Sequence, residues 1–205
     1  MGMADGKRES LTAADWTRAA LSALARGGLS AVAVEPLAKE LGATKGSFYW
    51  HFADRRALVE ATLELWERRD TDQVIAAIDE TQDVEIRLRH LLRLAFTSVV
   101  DRSEGGAGTV ELVLQASAAH PLVSPTLNRV TQRRLAVLTR LYAGLGLPRA
   151  AARDRSLLAY SSYLGHAQLA HATPDLLPTG RTFARHVDQV VEALVDVAGP
   201  PAPQV

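Results

Sequence analysis

The side chains with the clearest capacity for chemistry lie between residues 39 and 55 of the 205-residue chain. They carry hydroxyl, ammonium, guanidinium and imidazole groups, and one glycine would let a backbone approach closely: Lys39, Thr44, Lys45, Gly46, Ser47, Tyr49, His51 and Arg55. Such groups form hydrogen bonds and ion pairs with phosphates and with the edges of bases. The stretch therefore indicates a surface that contacts nucleic acid, provided that a helix presents it.

Two short helices joined by a tight turn would present those groups. Apolar residues recur at helical spacing over Leu37–Leu41, and Gly42 then fits the left-handed position that ends a helix. Thr44 can cap a second helix that runs to Trp50, and Asp54 can cap a third. This is the helix-turn-helix arrangement, whose second helix enters the major groove of DNA.

The segment 42–52, GATKGSFYWHF, followed by Arg55 and Leu58, resembles the tetracycline-repressor (TetR) family of transcription regulators. The similarity extends from Leu11 to Leu63, and the rest of the chain matches only in length, helical texture and position. The resemblance implies an all-α fold. An N-terminal three-helix DNA-binding domain with the helix-turn-helix (1–53) would be followed by a larger helical ligand-binding and dimerisation domain (54–205).

The resemblance also implies how the recognition helix contacts DNA. Residues Thr44–Gly46 begin that helix, where its N-terminus would meet base edges. Tyr49 and His51 resemble the aromatic and imidazole groups that contact phosphates in the family. Phe48 and Phe52 we interpret as core aromatics that hold the inner face of the helix.

Charged residues around the helix modify this picture. Lys39 and Arg55 would add ionic contacts with DNA. The sequence departs from the family at Ala33, where a threonine commonly contacts a phosphate. Glu35 suits the positive end of a helix dipole but would repel a nearby phosphate. We therefore expect one phosphate contact to be missing.

The family resemblance implies a cavity for a small-molecule effector in the larger domain. Such sites are mostly apolar, with a few polar groups that orient the ligand. The candidate lining residues are Phe96, Leu112, Gln115, His120, Tyr160, Tyr163, His166 and Gln168. Each of them taken alone is also compatible with an ordinary interior position.

A homodimer is expected because one short recognition helix binds weakly, whereas two on a two-fold axis read a near-palindrome. We predict a four-helix dimer bundle from Arg149–Ala172 and Thr179–Ala198. The last helix carries an apolar stripe that is too long for one neighbour to hide, and Gly165 would let helices approach closely. The alternative is that both helices are simply core.

Four arginines occur along the helix predicted from Ser124 to Tyr142. They are Arg129, Arg133, Arg134 and Arg140. We interpret them as a solvated, charged helix face rather than as a second nucleic-acid site.

Composition limits the other classes of function. Basic and acidic residues number 23 each, so any DNA contact must come from a local patch and from dimer geometry. Cysteine is absent, which excludes disulfides, thiolate zinc sites and cysteine nucleophiles. There is no signal-peptide core and no apolar run of about 18 residues, so we expect a cytoplasmic protein without a membrane partner.

Two other classes of protein, an enzyme and a helical interaction module, are alternatives to a regulator. An enzyme would need a catalytic constellation, and the sequence contains neither Gly-x-Ser-x-Gly nor His-Glu-x-x-His. Acidic residues do not cluster around His166 or His171, so neither a metal site nor a cofactor is predicted. A helical interaction module that has lost DNA binding is the second alternative, with Ala33 and Glu35 in its favour. The main prediction is a ligand-responsive repressor, and repression follows only from the resemblance.

Overall fold

The computed structural model describes residues 11–78, 83–100 and 107–196. These residues form helices and connecting turns without any strand, which confirms the predicted all-α class. The α-helices are α1 (Ala13–Ala31), α2 (Val34–Glu40), α3 (Lys45–Tyr49), α4 (Arg55–Glu67), α5 (Gln73–Ile78), α6 (Val84–Ser98), α7 (Ala107–Ala116), α8 (Ser124–Gly144), α9 (Arg149–Ala172) and α10 (Gly180–Val195). A π-helical turn, Arg68–Asp72, joins α4 to α5, and a 3-10 turn, Pro174–Leu176, follows α9. No helix within these ranges is both long and apolar enough to cross a membrane.

The outer ends of both predicted domains fall beyond the described ranges. Residues 1–10 belong to the first predicted domain and residues 197–205 to the second. The predicted last helix, Thr179–Ala198, therefore has its final two residues outside the described part of the chain.

Side-chain caps begin α1 and α4. At α1, the Asp15 carboxylate accepts from the Thr12 N–H at 2.8 Å, while Thr12 Oγ1 accepts from the Asp15 N–H at 3.3 Å. At α4, Asp54 Oδ1 accepts from the Ala57 N–H at 2.8 Å. Within α1 the backbone kinks at Gly28, where φ is +70°, so the regular part of this helix ends at Gly27 and Gly28.

The N-terminal helices close around aromatic side chains. Trp16 and Phe48 are fully buried, and their rings meet edge to face with centroids 5.4 Å apart. Phe52 stacks on Phe48 at 5.6 Å, which confirms that both phenylalanines belong to the core. The same apolar cluster continues into Val110 of α7 and Leu127 of α8. The core beneath α3 is therefore continuous with the helices of the larger domain.

A second apolar cluster joins α5, α6, α8, α9 and α10, and the stripe of α10 lies inside it. Its buried members are Phe183, Val187, Val191, Leu194 and Val195. Ion pairs from Arg89 to Glu192 (2.5 Å) and from Arg93 to Asp188 (2.7 Å) flank the contact between α6 and α10. The stripe is buried within the protomer by α6 together with other helices of this cluster, so a second copy is not needed to cover it.

Arginines of α8 fasten that helix to the end of α4. Arg129 Nε donates to Glu67 Oε1 at 3.0 Å, and Arg133 Nη1 lies 2.7 Å from Asp72 Oδ1. Arg134 is almost entirely buried, so the interpretation of a solvated helix face is wrong for this residue. Each of the three has an acidic partner on another element, which the spacing within α8 alone does not reveal.

Candidate nucleic-acid interface and ligand cavity

The turn between α2 and α3 has the geometry that the sequence predicts. Gly42 adopts φ +62°, the left-handed region that residues with a side chain disfavour, and its N–H donates to the Lys39 carbonyl at 3.2 Å. The Ala43 N–H donates to the Ala38 carbonyl at 2.8 Å. Thr44 Oγ1 accepts from the N–H of residue 47 at 3.2 Å and caps α3. These bonds fix the direction in which α3 leaves the turn.

Most of the predicted DNA contacts are solvent-exposed. The exposed residues are Lys39, Thr44, Lys45, Gly46, Tyr49, His51 and Arg55, whereas Ser47 is half-buried. Tyr49 is 60% exposed, although its neighbour Phe48 is fully buried. Because Phe48 and Trp16 hold the inner face of α3, its outer face is available to a groove of DNA.

Glu35 stands beside the recognition helix and pairs with Lys45. The Lys45 ammonium forms a salt bridge with Glu35 Oε1, and both side chains are exposed. The hydrogen bond between them raises the pKa of Lys45 and lowers the pKa of Glu35. A shallow groove separates the start of α2 from α3, and these two side chains and Tyr49 line it. Glu35 is therefore the ionic partner of Lys45, the cation that begins α3.

Arg55, the first residue of α4, bonds to backbone carbonyls at and after the end of α1. Its Nε donates to the Val32 carbonyl at 2.6 Å, and its Nη2 donates to the Leu29 carbonyl. Leu29 lies near the end of α1, after its kink, and Val32 lies in the segment that connects α1 to α2. Arg55 therefore holds this connector against α4, and Nη1 is the guanidinium nitrogen that these two bonds leave for its predicted contact with DNA.

Trp50 is an exposed aromatic that sequence reasoning did not select as a contact. It directly follows α3 and is 88% exposed. Phe48 and Phe52 are four residues apart and both face the core, so a residue midway between them faces outward. That spacing was the available signal. Trp50 extends the exposed surface formed by Tyr49 and His51.

A cavity of about 300 Å³ lies between α5, α6, α8 and α9, beside the π-helical turn. Its wall is mostly apolar and includes Val74, Ile75, Leu91, Leu92, Leu94, Ala95, Val137 and Leu138. Its polar residues are Asp70, Thr71, Ser98, Arg134, Tyr160 and Tyr163. An apolar wall with a few convergent polar groups is typical of a small-molecule site.

Of the predicted lining residues, Tyr160 and Tyr163 line this cavity. Phe96 lies behind the wall, where its ring meets the edge of Tyr163 at 6.4 Å and that of His166 at 4.9 Å. Leu112 is half-buried against the second apolar cluster. Neither Phe96 nor Leu112 is among the residues that line the cavity.

The remaining candidates also lie elsewhere. Gln115 Nε2 donates to Glu111 at 3.0 Å, while His120 and Gln168 are exposed. His166 Nε2 lies 3.0 Å from Nε2 of His186 and so joins α9 to α10. Across the described ranges, three or more histidine, aspartate or glutamate side chains nowhere converge as a metal site would require.

Arg134 organises the polar end of the cavity. Its Nη1 donates to Glu111 Oε2 at 2.6 Å, its Nε to Thr71 Oγ1 at 3.0 Å, and its Nη2 to the Asp70 carbonyl at 3.1 Å. The guanidinium also lies 5.4 Å from the ring centroid of Trp66. Burial acts to lower the pKa of Arg134, but the adjacent Glu111 carboxylate outweighs it, and the pKa is raised.

Glu111 is fully buried and accepts three hydrogen bonds. The donors are Arg134, Gln115 and the Tyr160 hydroxyl, which lies 3.2 Å away. Burial and the Glu111 charge raise the pKa of Tyr160, and burial raises that of Tyr163. Sequence reasoning missed Glu111 and Arg134. The available signal was a lone carboxylate in the apolar sequence of α7, since a buried carboxylate needs a cationic partner.

Comparison with known proteins shows what this geometry is similar to. Residues 17–62 match the model of the family described as bacterial regulatory proteins, tetR family. A transcriptional regulator from Rhodococcus sp. Rha1 has a similar structure, with a TM-score of 0.72 and 19% identity over 90% of this chain and 96% of that one. No curated protein matches the sequence.

Two further similar structures contain ligands. The transcriptional regulator FadR from Bacillus subtilis, in complex with stearoyl-CoA, has a TM-score of 0.67 and 14% identity over 89% of this chain and 97% of that one. AibR, in complex with isovaleryl coenzyme A and operator DNA, has a TM-score of 0.67 and 17% identity over the same shares, 89% and 97%. These likenesses concern the fold.

The family match covers the segment from α1 to α4 and therefore includes the whole helix-turn-helix. Over about nine tenths of the chain, the fold is similar to that of a solved transcriptional regulator. The segment 17–62 is thus similar to the tetR family of bacterial regulatory proteins, and the chain has the fold of solved transcriptional regulators.

Proposed function

We propose that the protein is a ligand-responsive transcriptional repressor. Two copies bind a near-palindromic operator through their α3 helices, and a small effector in the cavity releases them. The observation that carries this proposal is the attachment of the cavity's polar end to the π-helical turn. This turn directly follows α4, the helix that begins just after the N-terminal domain. A cytoplasmic location is part of the proposal, because such a regulator must share a compartment with DNA.

The attachment gives a ligand two routes to the DNA-reading helices. Arg134 holds Asp70 and Thr71, so a shift of its guanidinium acts on the end of α4. Arg134 also holds Glu111, and its neighbour Val110 packs in the cluster that contains Trp16 of α1. A ligand changes DNA binding only if it favours one arrangement of these helices over another. A ligand that moves Arg134 could favour one arrangement of the helices through either route.

DNA binding is proposed to use the exposed face of α3. Thr44–Gly46 would meet base edges, and Tyr49 with His51 would contact phosphates. Lys45 would leave Glu35 for a phosphate or a base, an exchange between exposed ionic partners that costs little. Lys39, Ser47 and Arg55 complete the predicted set.

The dimer is proposed to form mainly through α9, because α10 has its apolar stripe buried within the chain. The exposed face of α9 carries Leu157, Leu158 and Leu169, together with the small residues Ser161 and Gly165. A Cβ atom added at Gly165 would meet nothing within 4 Å in the protomer. This face can therefore accept a helix of a second copy at close range, with the exposed side of α10 at its edge.

The effector is proposed to have an apolar chain. FadR is bound to stearoyl-CoA and AibR to isovaleryl coenzyme A in the structures compared above. The apolar wall formed by α5, α6 and α8 suits the acyl part of such a molecule.

Binding to a duplex from the DNA upstream of the protein's own gene tests the proposal. We expect the wild type to bind this duplex as a dimer and to prefer it to a pool of random duplexes. Lys45→Glu should weaken binding by about 100-fold or more, because it replaces a cation at the N-terminus of α3 by an anion. Arg140→Glu is the matched control, since Arg140 is an exposed cation of α8, far from α3 in sequence and on the other domain.

The two variants separate the possible outcomes. Loss of binding in Lys45→Glu, with retained dimer and unchanged binding in Arg140→Glu, supports α3 as the DNA-reading element. Equal binding by both variants contradicts that assignment. Absence of selective binding by the wild type would favour a helical interaction module, with Ala33 and Glu35 as its physical reason.

A further inference from the structure

The cavity holds no uncompensated positive charge in the part of its lining that the structure describes. Arg134 is paired with Glu111 at 2.6 Å, and each of its three nitrogen atoms donates to the protein. Asp70 is paired with Arg69, whose Nε and Nη2 donate to the carboxylate at 2.6 and 3.1 Å. The two cations are therefore matched by two carboxylates, Asp70 and Glu111, that are more deeply buried than Arg69.

A ligand carboxylate would consequently enter as an extra negative charge. Its oxygen atoms would approach the side chains of Asp70 and Arg134. Asp70 is itself a carboxylate, and the Arg134 guanidinium is already neutralised by Glu111. An ion that loses its water without gaining a free counter-ion is strongly disfavoured. An uncharged ligand of the same shape does not carry this cost.

A hydroxyl group is available to receive such a ligand. Tyr163 lines the cavity, and its side chain makes ring contacts with Phe96 and Tyr160. Its hydroxyl has no hydrogen-bond partner among the described residues, unlike that of Tyr160, which bonds to Glu111. A buried phenolic hydroxyl usually finds a partner. A carbonyl or hydroxyl oxygen of a ligand would supply it.

We propose that the cavity binds an uncharged amphipathic molecule, an apolar chain ending in one carbonyl or hydroxyl oxygen, and rejects the corresponding carboxylate. The chain lies along Leu91, Leu92 and Leu138, and its oxygen accepts from or donates to the Tyr163 hydroxyl. The Arg134–Glu111 pair sets the selectivity, since it leaves no cationic group free. The inference rests on the proposed function for the location of the effector, but it concerns binding and needs no DNA.

Octanamide and octanoate are the first probes, because they have nearly the same size and differ in charge at neutral pH. Hexyl and decyl homologues cover shorter and longer chains. Isothermal titration calorimetry and thermal melting of the full-length protein measure binding. We expect the amide to bind at least about 100-fold more tightly than the carboxylate of the same chain length.

Glu111→Gln should reverse this preference. The variant keeps a side chain that can accept from Gln115 and Tyr160 but leaves Arg134 with an unmatched charge. A ligand carboxylate then restores neutrality, so octanoate should bind the variant at least about tenfold more tightly than it binds the wild type and should raise its Tm. Glu67→Gln is the matched control, because it removes a carboxylate from the Arg129 pair outside the cavity lining.

Tyr163→Phe keeps the inference testable should Glu111→Gln fail to fold. Loss of the hydroxyl should weaken octanamide binding by about tenfold. Tyr142→Phe is its control, since Tyr142 is a buried tyrosine whose hydroxyl donates to the Leu194 carbonyl outside the cavity lining. That control should lose stability and retain its affinity for octanamide.

Three results would overturn the inference: octanoate binds the wild type as well as octanamide does, no chain length of either probe binds, or Tyr163→Phe binds octanamide like the wild type. A failure of the proposed function looks different. If octanamide binds selectively but operator binding is unaffected, the ligand class stands and the effector role falls.

Discussion

Two pairs of a glutamate and a cation have the same chemistry and opposite surroundings. Lys45 and Glu35 lie on the outer face of the helix-turn-helix, where their side chains are 59% and 70% exposed. Arg134 and Glu111 lie inside the larger domain, where their side chains are 14% and 0% exposed. Water screens the first pair, so either partner can be exchanged at little cost. The second pair has exchanged its water for protein donors and acceptors.

Exposure determines which pair can respond to an outside partner. In the proposed function, the exposed pair opens when a phosphate of DNA competes for Lys45. The buried pair joins α7, α8 and the π-helical turn, and the proposed ligand would reach it only through the cavity. The exposed ion pair would thus respond to DNA, and the buried ion pair to a ligand in the cavity.

The largest effect is expected when the buried pair is broken. Glu111→Ala should lower the free energy of unfolding by about 3–5 kcal/mol, because it leaves Arg134 charged and buried without its counter-ion. Urea denaturation followed by circular dichroism measures this change. The combination of Glu111→Leu with Arg134→Met should recover most of the loss, since it removes both charges. A single variant within about 1 kcal/mol of the wild type would contradict a buried pair of this kind.

A smaller effect is expected when the exposed pair is opened. Glu35→Gln should raise the affinity for the operator several-fold, because it frees Lys45 and removes a charge that repels phosphate. The slope of log affinity against log salt should steepen by about one unit, as for one additional phosphate contact. Glu40→Gln is the matched control, since Glu40 is an exposed carboxylate on the same helix that pairs with Arg26. Equal slopes in wild type and Glu35→Gln would show that Lys45 already contacts DNA without hindrance.

The smallest effect concerns a pair of intermediate exposure, Glu67 and Arg129. The hydrogen bond from Arg129 lowers the pKa of Glu67, so the folded state binds a proton less readily than the unfolded state. Its stabilising contribution is present above the unfolded pKa of about 4.3 and is lost as the pH falls through the folded pKa. Glu67→Gln should therefore cost up to about 1 kcal/mol near pH 7 and nothing near pH 2.

Denaturation of both proteins over this pH range measures the difference. Glu64→Gln is the control, because Glu64 pairs with Arg68 only at 3.7 Å on the surface of α4. A constant difference between wild type and Glu67→Gln at all pH values would show that the charge of Glu67 does not contribute.

The helix-turn-helix could be predicted from the sequence because its determinants are close together in the chain. The capping box of Thr12 and Asp15, the left-handed Gly42 and the caps at Thr44 and Asp54 each depend on residues at most three positions apart. Local geometry fixes such features whatever the rest of the chain does.

The cavity could not be predicted in the same way because its polar end is assembled from distant segments. Thr71, Glu111, Arg134 and Tyr160 lie on the π-helical turn, α7, α8 and α9. Arg134 shares its helix with Arg129 and Arg140, so spacing alone gives it the same surface interpretation. Burial of an arginine depends on a partner from another element, and helical periodicity carries no information about that partner.

The apolar stripe of α10 illustrates the same limit. Periodicity predicts an apolar stripe on this helix, but not whether helices of the same chain or a helix of another copy cover it. The exposed leucines of α9 now carry the dimer prediction instead.

The proposed function requires that the cavity and the DNA-reading helix be coupled, and operator affinity measured with and without octanamide shows whether they are. With the cavity saturated, we expect operator affinity to fall by about 5- to 150-fold, and bound operator should lower the affinity for octanamide by the same factor. Equal operator affinities, measured while calorimetry shows the cavity to be occupied, would contradict the account.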